Sequence, residues 1–192
     1  MRDLEMASDT SDRAQWLKQY YFLRAAFSVA WVIAAFAAAP SSAAIAGTLL
    51  VAYPAWDAAA NYLDAFCSGG LNQNRTQALN VLVSLATTIA VILASRVSMN
   101  WVLGIFGAWA ILAGLLQLGT AVRRWRSYGA QWAMVLSGGQ SALAGGFFIV
   151  QAAMPAIPSI ANVAGYAAVG ALYFLVSAVW LTVGTWRRGA AL

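Results

Sequence analysis

The chain has 192 residues, 62% of them hydrophobic and only 9% charged, with a mean hydropathy of +0.71. Soluble domains carry about 25% charged residues, so this chain has too little polar surface to coat a water-soluble globule. Lys and Arg outnumber Asp and Glu by 11 to 6, there is no His, and Cys67 is the single cysteine; a Ser-His-Asp triad, an intrachain disulfide and a CxxC metal or redox pair are all excluded.

Residues 1–18 mix acids and bases and read as a cytoplasmic or interfacial segment rather than a signal peptide. Asp12 with Gln15 three residues later resembles a capping box. Six apolar runs follow, each near the ~20 residues that cross a bilayer core. They cover 19–39, 43–66, 76–95, 100–122, 130–153 and 160–186, and a tail of 187–192 closes the chain. The runs are continuous and rich in Ala, Leu and Val, which favours helices over the short alternating strands of a barrel. The expected fold is all-α: a polytopic membrane protein whose six transmembrane helices form three hairpins, 19–66, 76–122 and 130–186.

Basic residues set the orientation. Arg2, Arg13, Lys18, Arg75, Arg123, Arg124, Arg126, Arg187 and Arg188 fall on one side, Arg96 alone on the other, and Arg24 within the first span. Both termini are therefore expected in the cytoplasm, with the chain in the cell inner (plasma) membrane. Arg123, Arg124, Arg126, Arg187 and Arg188 read as lipid-headgroup and topology anchors, not as a nucleic-acid patch. Trp16, Tyr20, Tyr21, Trp101, Trp125, Trp132 and Trp186 sit near span ends, as an interfacial aromatic belt should.

The second span carries the candidate site. Tyr53, Asp57, Asn61 and Asp64 are spaced by four, four and three residues, which places them on one helical face. A carboxylate in hydrocarbon costs about 2.5–3.5 kcal/mol on insertion scales and normally finds a partner. Arg24, on the antiparallel neighbouring span, has a depth between those of the two acids and is expected to bridge Asp57 and Asp64. Such a cluster is either a proton-responsive element or an ion pair that fixes helix register. Pro54 is expected to kink this span one turn from Asp57. Small residues at four-residue spacing predict close helix packing through Ala30 and Ala34 on the first span and Gly138, Ala142 and Gly146 on the fifth.

The spans also repeat. Leu23-Arg24-Ala25, Leu79-Asn80-Val81 and Leu136-Ser137-Gly138 open the odd spans at offsets of 56 and 57 residues. The even spans pair an aromatic with a small or polar residue four later: Tyr53 with Asp57, Trp109 with Ala113, Tyr173 with Ser177, at offsets of 56 and 64. This reading gives one hairpin used three times, the third with a longer outer turn over 154–159.

On these residues the chain resembles the HdeD family, small bacterial inner-membrane proteins of short hairpin repeats linked to acid resistance. The match rests on Leu23-Arg24-Ala25 with Pro40, Tyr53 to Asp57, Gly107-Ala108-Trp109 to Ala113-Gly114 with Arg123-Arg124, Leu136-Ser137-Gly138 with Pro155, and Gly170 to Tyr173 with Arg187-Arg188. Ala25 and Ala58 stand where the family pattern favours Gly. The resemblance implies a non-enzymatic protein, without cofactor or metal, that supports the envelope under acid or other stress. Its expected partners are the lipid bilayer and, further, other membrane proteins or a second copy. Two other functions fit the same residues: an accessory subunit of a larger membrane complex, and a small proton-coupled transporter or channel.

Overall fold

The computed structural model describes residues 2–126 and 131–189. Six helices follow one another: α1 (Arg2–Ala37), α2 (Ala43–Cys67), α3 (Arg75–Ala94), α4 (Met99–Arg124), α5 (Gln131–Ala152) and α6 (Ile160–Gly189), with a 3-10 turn at Ala39–Ser41 after α1. Each contains a stretch long and apolar enough to cross a membrane, beginning at Gln15 in α1 and ending at Gly184 in α6. No strand occurs among the described residues. α2 runs through Pro54 without a break.

The helices form a closed ring, each packed on the next and α6 returning to α1. The closest interfaces alternate: α2 with α3, α4 with α5, and α6 with α1. Lipid tails are as apolar as leucine, so helices in a membrane associate by van der Waals fit rather than by hydrophobic drive. The α4–α5 contact shows how. A Cβ added at Gly145 would stand 2.5 Å from the carbonyl oxygen of Gly107, and one at Gly138 would stand 2.8 Å from that of Gly114. Only glycines let these two backbones come so near. Of the expected packing positions, Gly138 and Ala142 lie in this contact, but Gly146 faces open space and its neighbour Gly145 takes the role. On α1, Ala30 is exposed and Ala34 half-buried; Ala25, Trp31 and Ala35 make the buried face instead. Alanine stripes arise by composition alone in a helix this apolar, whereas one large ring fixes which face turns inward.

The turns are built locally. After α2 the chain passes through Gly69 (φ +98°) and Gly70 (φ +91°), a backbone open to glycine. The Gly70 N–H bonds the Ala65 carbonyl at 2.8 Å, closing the helix end. Asn74 Nδ2 donates to the carbonyls of Ser68 and Gly70 at 2.8 and 2.9 Å. At the opposite end, the Ser42 and Ser98 hydroxyls cap α2 and α4. Asn100 Nδ2 holds the α5–α6 turn through the carbonyls of Ala152 and Met154.

The interior divides across its middle. The half toward the 38–42 and 95–98 turns is an apolar cluster of Trp31, Leu50, Val102, Leu103, Phe106, Phe148 and Val163. The half toward Arg75 and Arg123 carries a second apolar cluster, with Leu17, Ala60, Ala121, Phe174 and Leu181, and beside it the buried polar residues Asp57, Asn61, Asp64, Gln77 and Asn80 that make it the polar half. Trp101, Trp125 and Trp186 face outward, as a belt requires, but Tyr20 and Tyr21 are only 4% and 1% exposed and turn into the polar half.

Candidate functional site

The polar half encloses a cavity of about 70 Å³ lined by side chains from all six helices. α2 supplies the acids. Its four-residue spacing brings Tyr53, Asp57, Asn61 and Asp64 to the cavity together, and the two acids and Asn61 are at most 6% exposed.

Asp57 accepts from side chains of three helices. Arg24 Nη2 of α1 forms an ion pair with its Oδ1. Its Oδ2 accepts from Asn61 Nδ2 at 3.1 Å and from the Ser84 hydroxyl of α3 at 2.9 Å. Ser84 Oγ in turn accepts from Trp109 Nε1 of α4 at 2.9 Å. One carboxylate thereby ties four helices. Arg24 also donates to the Tyr20 hydroxyl at 2.9 Å and lies 4.4 Å from the Phe174 ring centroid. That ring face favours the cation further and fixes α6 against α1.

Asp64 has a different partner from the one expected. Arg24 does not bridge the two acids; Arg124 of α4 pairs with Asp64 Oδ2 at 3.0 Å. Gln77 Nε2 of α3 reaches the same oxygen at 3.2 Å. Arg123 donates to Asn74 Oδ1 at 3.0 Å and to Gln77 Oε1 at 2.9 Å. Arg124 thus turns toward the protein, whereas Arg123 makes these bonds while staying exposed. Once Asp64 is buried, its charge needs a partner, because removing one side of a buried ion pair leaves an uncompensated charge. Arg126 is exposed, and the side chains of Arg187 and Arg188 lie outside the described residues.

A floor of aromatic rings separates the cavity from the apolar half. Tyr53 of α2, Trp109 of α4 and Tyr166 of α6 line the cavity. Each is held by a serine of the preceding helix: Ser28 with Tyr53, Ser84 with Trp109, Ser141 with Tyr166. Tyr53 meets Trp109 edge-on at 5.8 Å, and Trp109 meets Phe106 edge-on at 5.7 Å. Tyr173 is matched with Tyr53 and Trp109 in the repeat reading. It is half-buried and does not line the cavity; Tyr166, one residue-pair of turns earlier, stands there.

Sequence reasoning missed Ser28, Ser84, Ser141 and Tyr166. A serine in an apolar helix bonds its own backbone as readily as a neighbour, so none draws notice alone. Their spacing was the available signal. Ser28, Ser84 and Ser141 are 56 and 57 residues apart, and so are Tyr53, Trp109 and Tyr166.

Among the described residues no group of His, Cys, Asp and Glu is placed to hold a metal ion. Comparison with family models, with curated proteins and with solved structures gives no match to this chain.

Proposed function

We propose that the chain is a non-enzymatic multi-pass protein of the cell inner membrane, with both termini cytoplasmic, in which protonation of Asp57 is the responsive event. The observation that carries this reading is the position of one titratable carboxylate as the common acceptor of Arg24, Asn61 and Ser84, with Trp109 joined through Ser84. Adding a proton removes the charge that Arg24 faces and one acceptor that Ser84 needs. The packing of α1, α2, α3 and α4 then shifts together, because buried networks are cooperative. The other titratable and charged groups around the cavity are Tyr20, Tyr21 and Arg24 from α1, Tyr53 and Asp64 from α2, Arg124 from α4 and Tyr166 from α6. α3 and α5 present uncharged amides, hydroxyls and a Met. Asp57 and Asp64 are thus the acids on this wall, and Asp64 has the nearer arginine cluster to itself.

Two further points support the reading. Beyond the aromatic floor the described residues pack as a mainly apolar cluster, which suits one-sided access better than conduction. The 56- and 57-residue spacing of the serine–aromatic pairs, with the alternation of close and loose helix interfaces, supports three copies of one hairpin. In that register Asp57 corresponds to Ala113 and Gly170, and only the first copy has an acid there. The HdeD resemblance supplies the setting, envelope support under acid stress.

Trp109 reports on the event. In lipid nanodiscs, acidification is expected to change tryptophan emission reversibly in the wild type, and Asp57→Asn is expected to abolish that change. An identical response in both proteins, or none in either, removes the reading. Acid-driven proton flux across vesicles, lost in Asp57→Asn, would instead establish the transporter alternative.

A further inference from the structure

Three buried polar atoms on residues that line the cavity have no hydrogen-bond partner among the described residues: Trp56 Nε1, Asp64 Oδ1 and Asn80 Oδ1. Asp64 and Asn80 are 3% and 7% exposed. An unsatisfied buried polar group costs about 1–3 kcal/mol, and more when charged. Three in one cavity therefore point to a guest that satisfies them.

Their chemistry restricts the guest. It must donate to Asp64 Oδ1 and Asn80 Oδ1 and accept from the Trp56 indole. The cavity wall holds two arginines and two aspartates, so an added ion would have no counter-charge. The volume, about 70 Å³, is roughly half of the ~150 Å³ that admits a benzene, whereas one water fills about 10–15 Å³ and takes ~30 Å³ of the liquid. One molecule cannot serve all three atoms. Trp56 and Asp64 lie eight residues apart on the unbroken helix α2, on the order of 12 Å at 1.5 Å per residue.

We infer that the cavity binds a short column of water running from Asp64, beneath the arginine-rich end, inward past Asn80 to Trp56, and that this column is the route by which protons reach Asp57. The Arg124–Asp64 pair stands at its outer mouth, and the Tyr53–Trp109–Tyr166 floor ends it. Space for the column comes from the repeat register. Where the first copy places Asp57, the other copies place Ala113 and Gly170. A Cβ added at Gly170 would meet only the Tyr53 hydroxyl, at 4.0 Å. The proton route rests on the reading of Asp57 as the responsive group; the water column does not.

The test uses the full chain with ¹⁵N-labelled tryptophan in lipid nanodiscs, reading magnetisation transfer from water to each indole N–H by NMR. Trp56→Phe assigns the Trp56 signal. Trp56 is expected to receive transfer, while Trp31, whose indole donates to the Leu49 carbonyl at 2.7 Å in the apolar half, is not. Gly170→Val and Ala113→Leu, which add bulk to the cavity wall without changing its charge, are expected to remove the Trp56 transfer and leave the Trp31 signal in place as evidence of folding. Asp57→Asn is expected to keep the transfer while losing the acid response. Absence of transfer at Trp56 in the wild type, or its persistence in both filled variants, overturns the column. Transfer in the wild type without any acid response keeps the column and removes only the proton route.

Discussion

On α2, two turns separate Asp57, which accepts from Arg24, Asn61 and Ser84, from Leu50, which packs among Trp31, Phe106 and Val163. The same helix thus crosses two interiors. In the half nearer Arg123 and Arg124, directional bonds act beside a smaller apolar cluster, and a missing partner leaves a charge or a dipole stranded in a low dielectric. In the other half, position is set by shape, and a trimmed side chain loses only its contacts, because the surrounding lipid is no worse a solvent than the core. The first half resists substitution of particular atoms; the second resists changes of volume.

Substitutions that strain this contrast differ in size. Arg24→Ala is the most damaging, because it strands the Asp57 carboxylate; a loss of about 3–5 kcal/mol is expected in equilibrium unfolding in detergent. Leu103→Ala, at a fully buried site in the apolar half, is expected to lose about 2 kcal/mol, the lower end of such truncations, since the transfer term is small in lipid. Gly145→Ala pushes a methyl toward the Gly107 carbonyl and is expected to lower stability by about 1–3 kcal/mol. Gly146→Ala beside it, with open space around the added atom, serves as the control and is expected to leave the unfolding midpoint unchanged. Arg126→Gln, on an exposed side chain, should shift stability by no more than about 0.5 kcal/mol. If Leu103→Ala proves as harmful as Arg24→Ala, the two halves are not held by different forces.

The six helices were readable because apolar runs of bilayer length between charged or Gly/Pro breaks have few other solutions. The face carrying Asp57, Asn61 and Asp64 was readable for a similar reason: polar residues on a spanning helix must turn inward. The Arg24–Asp57 pair was readable as well, but the partner of Asp64 was not. Depth placed Arg24 within reach of both acids, but α3 lies between α2 and α4 in the ring, and the Arg124 side chain reaches Asp64 from a helix far along the chain. The Arg123 and Arg124 side chains read as anchors because headgroups and carboxylates attract guanidinium alike. Tyr20 and Tyr21 read as interfacial because they stand at a span end; periodicity gives no rotation about the helix axis when every face is apolar. Tyr166 was passed over for Tyr173 because a four-residue aromatic–polar spacing recurs by chance in such a helix, and the serine partners of Tyr53, Trp109 and Tyr166 were not weighed with it.

A double-mutant cycle on Arg24→Ala and Asp57→Asn, read as unfolding free energy of the full chain in lipid or detergent, addresses the Arg24–Asp57 contact directly. The paired variant is expected to be more stable than Arg24→Ala alone, with a coupling of about 2 kcal/mol, since neutralising the acid relieves the stranded charge. Losses that simply add would mean that the two side chains do not meet, and the account of a charge-centred polar half would fall.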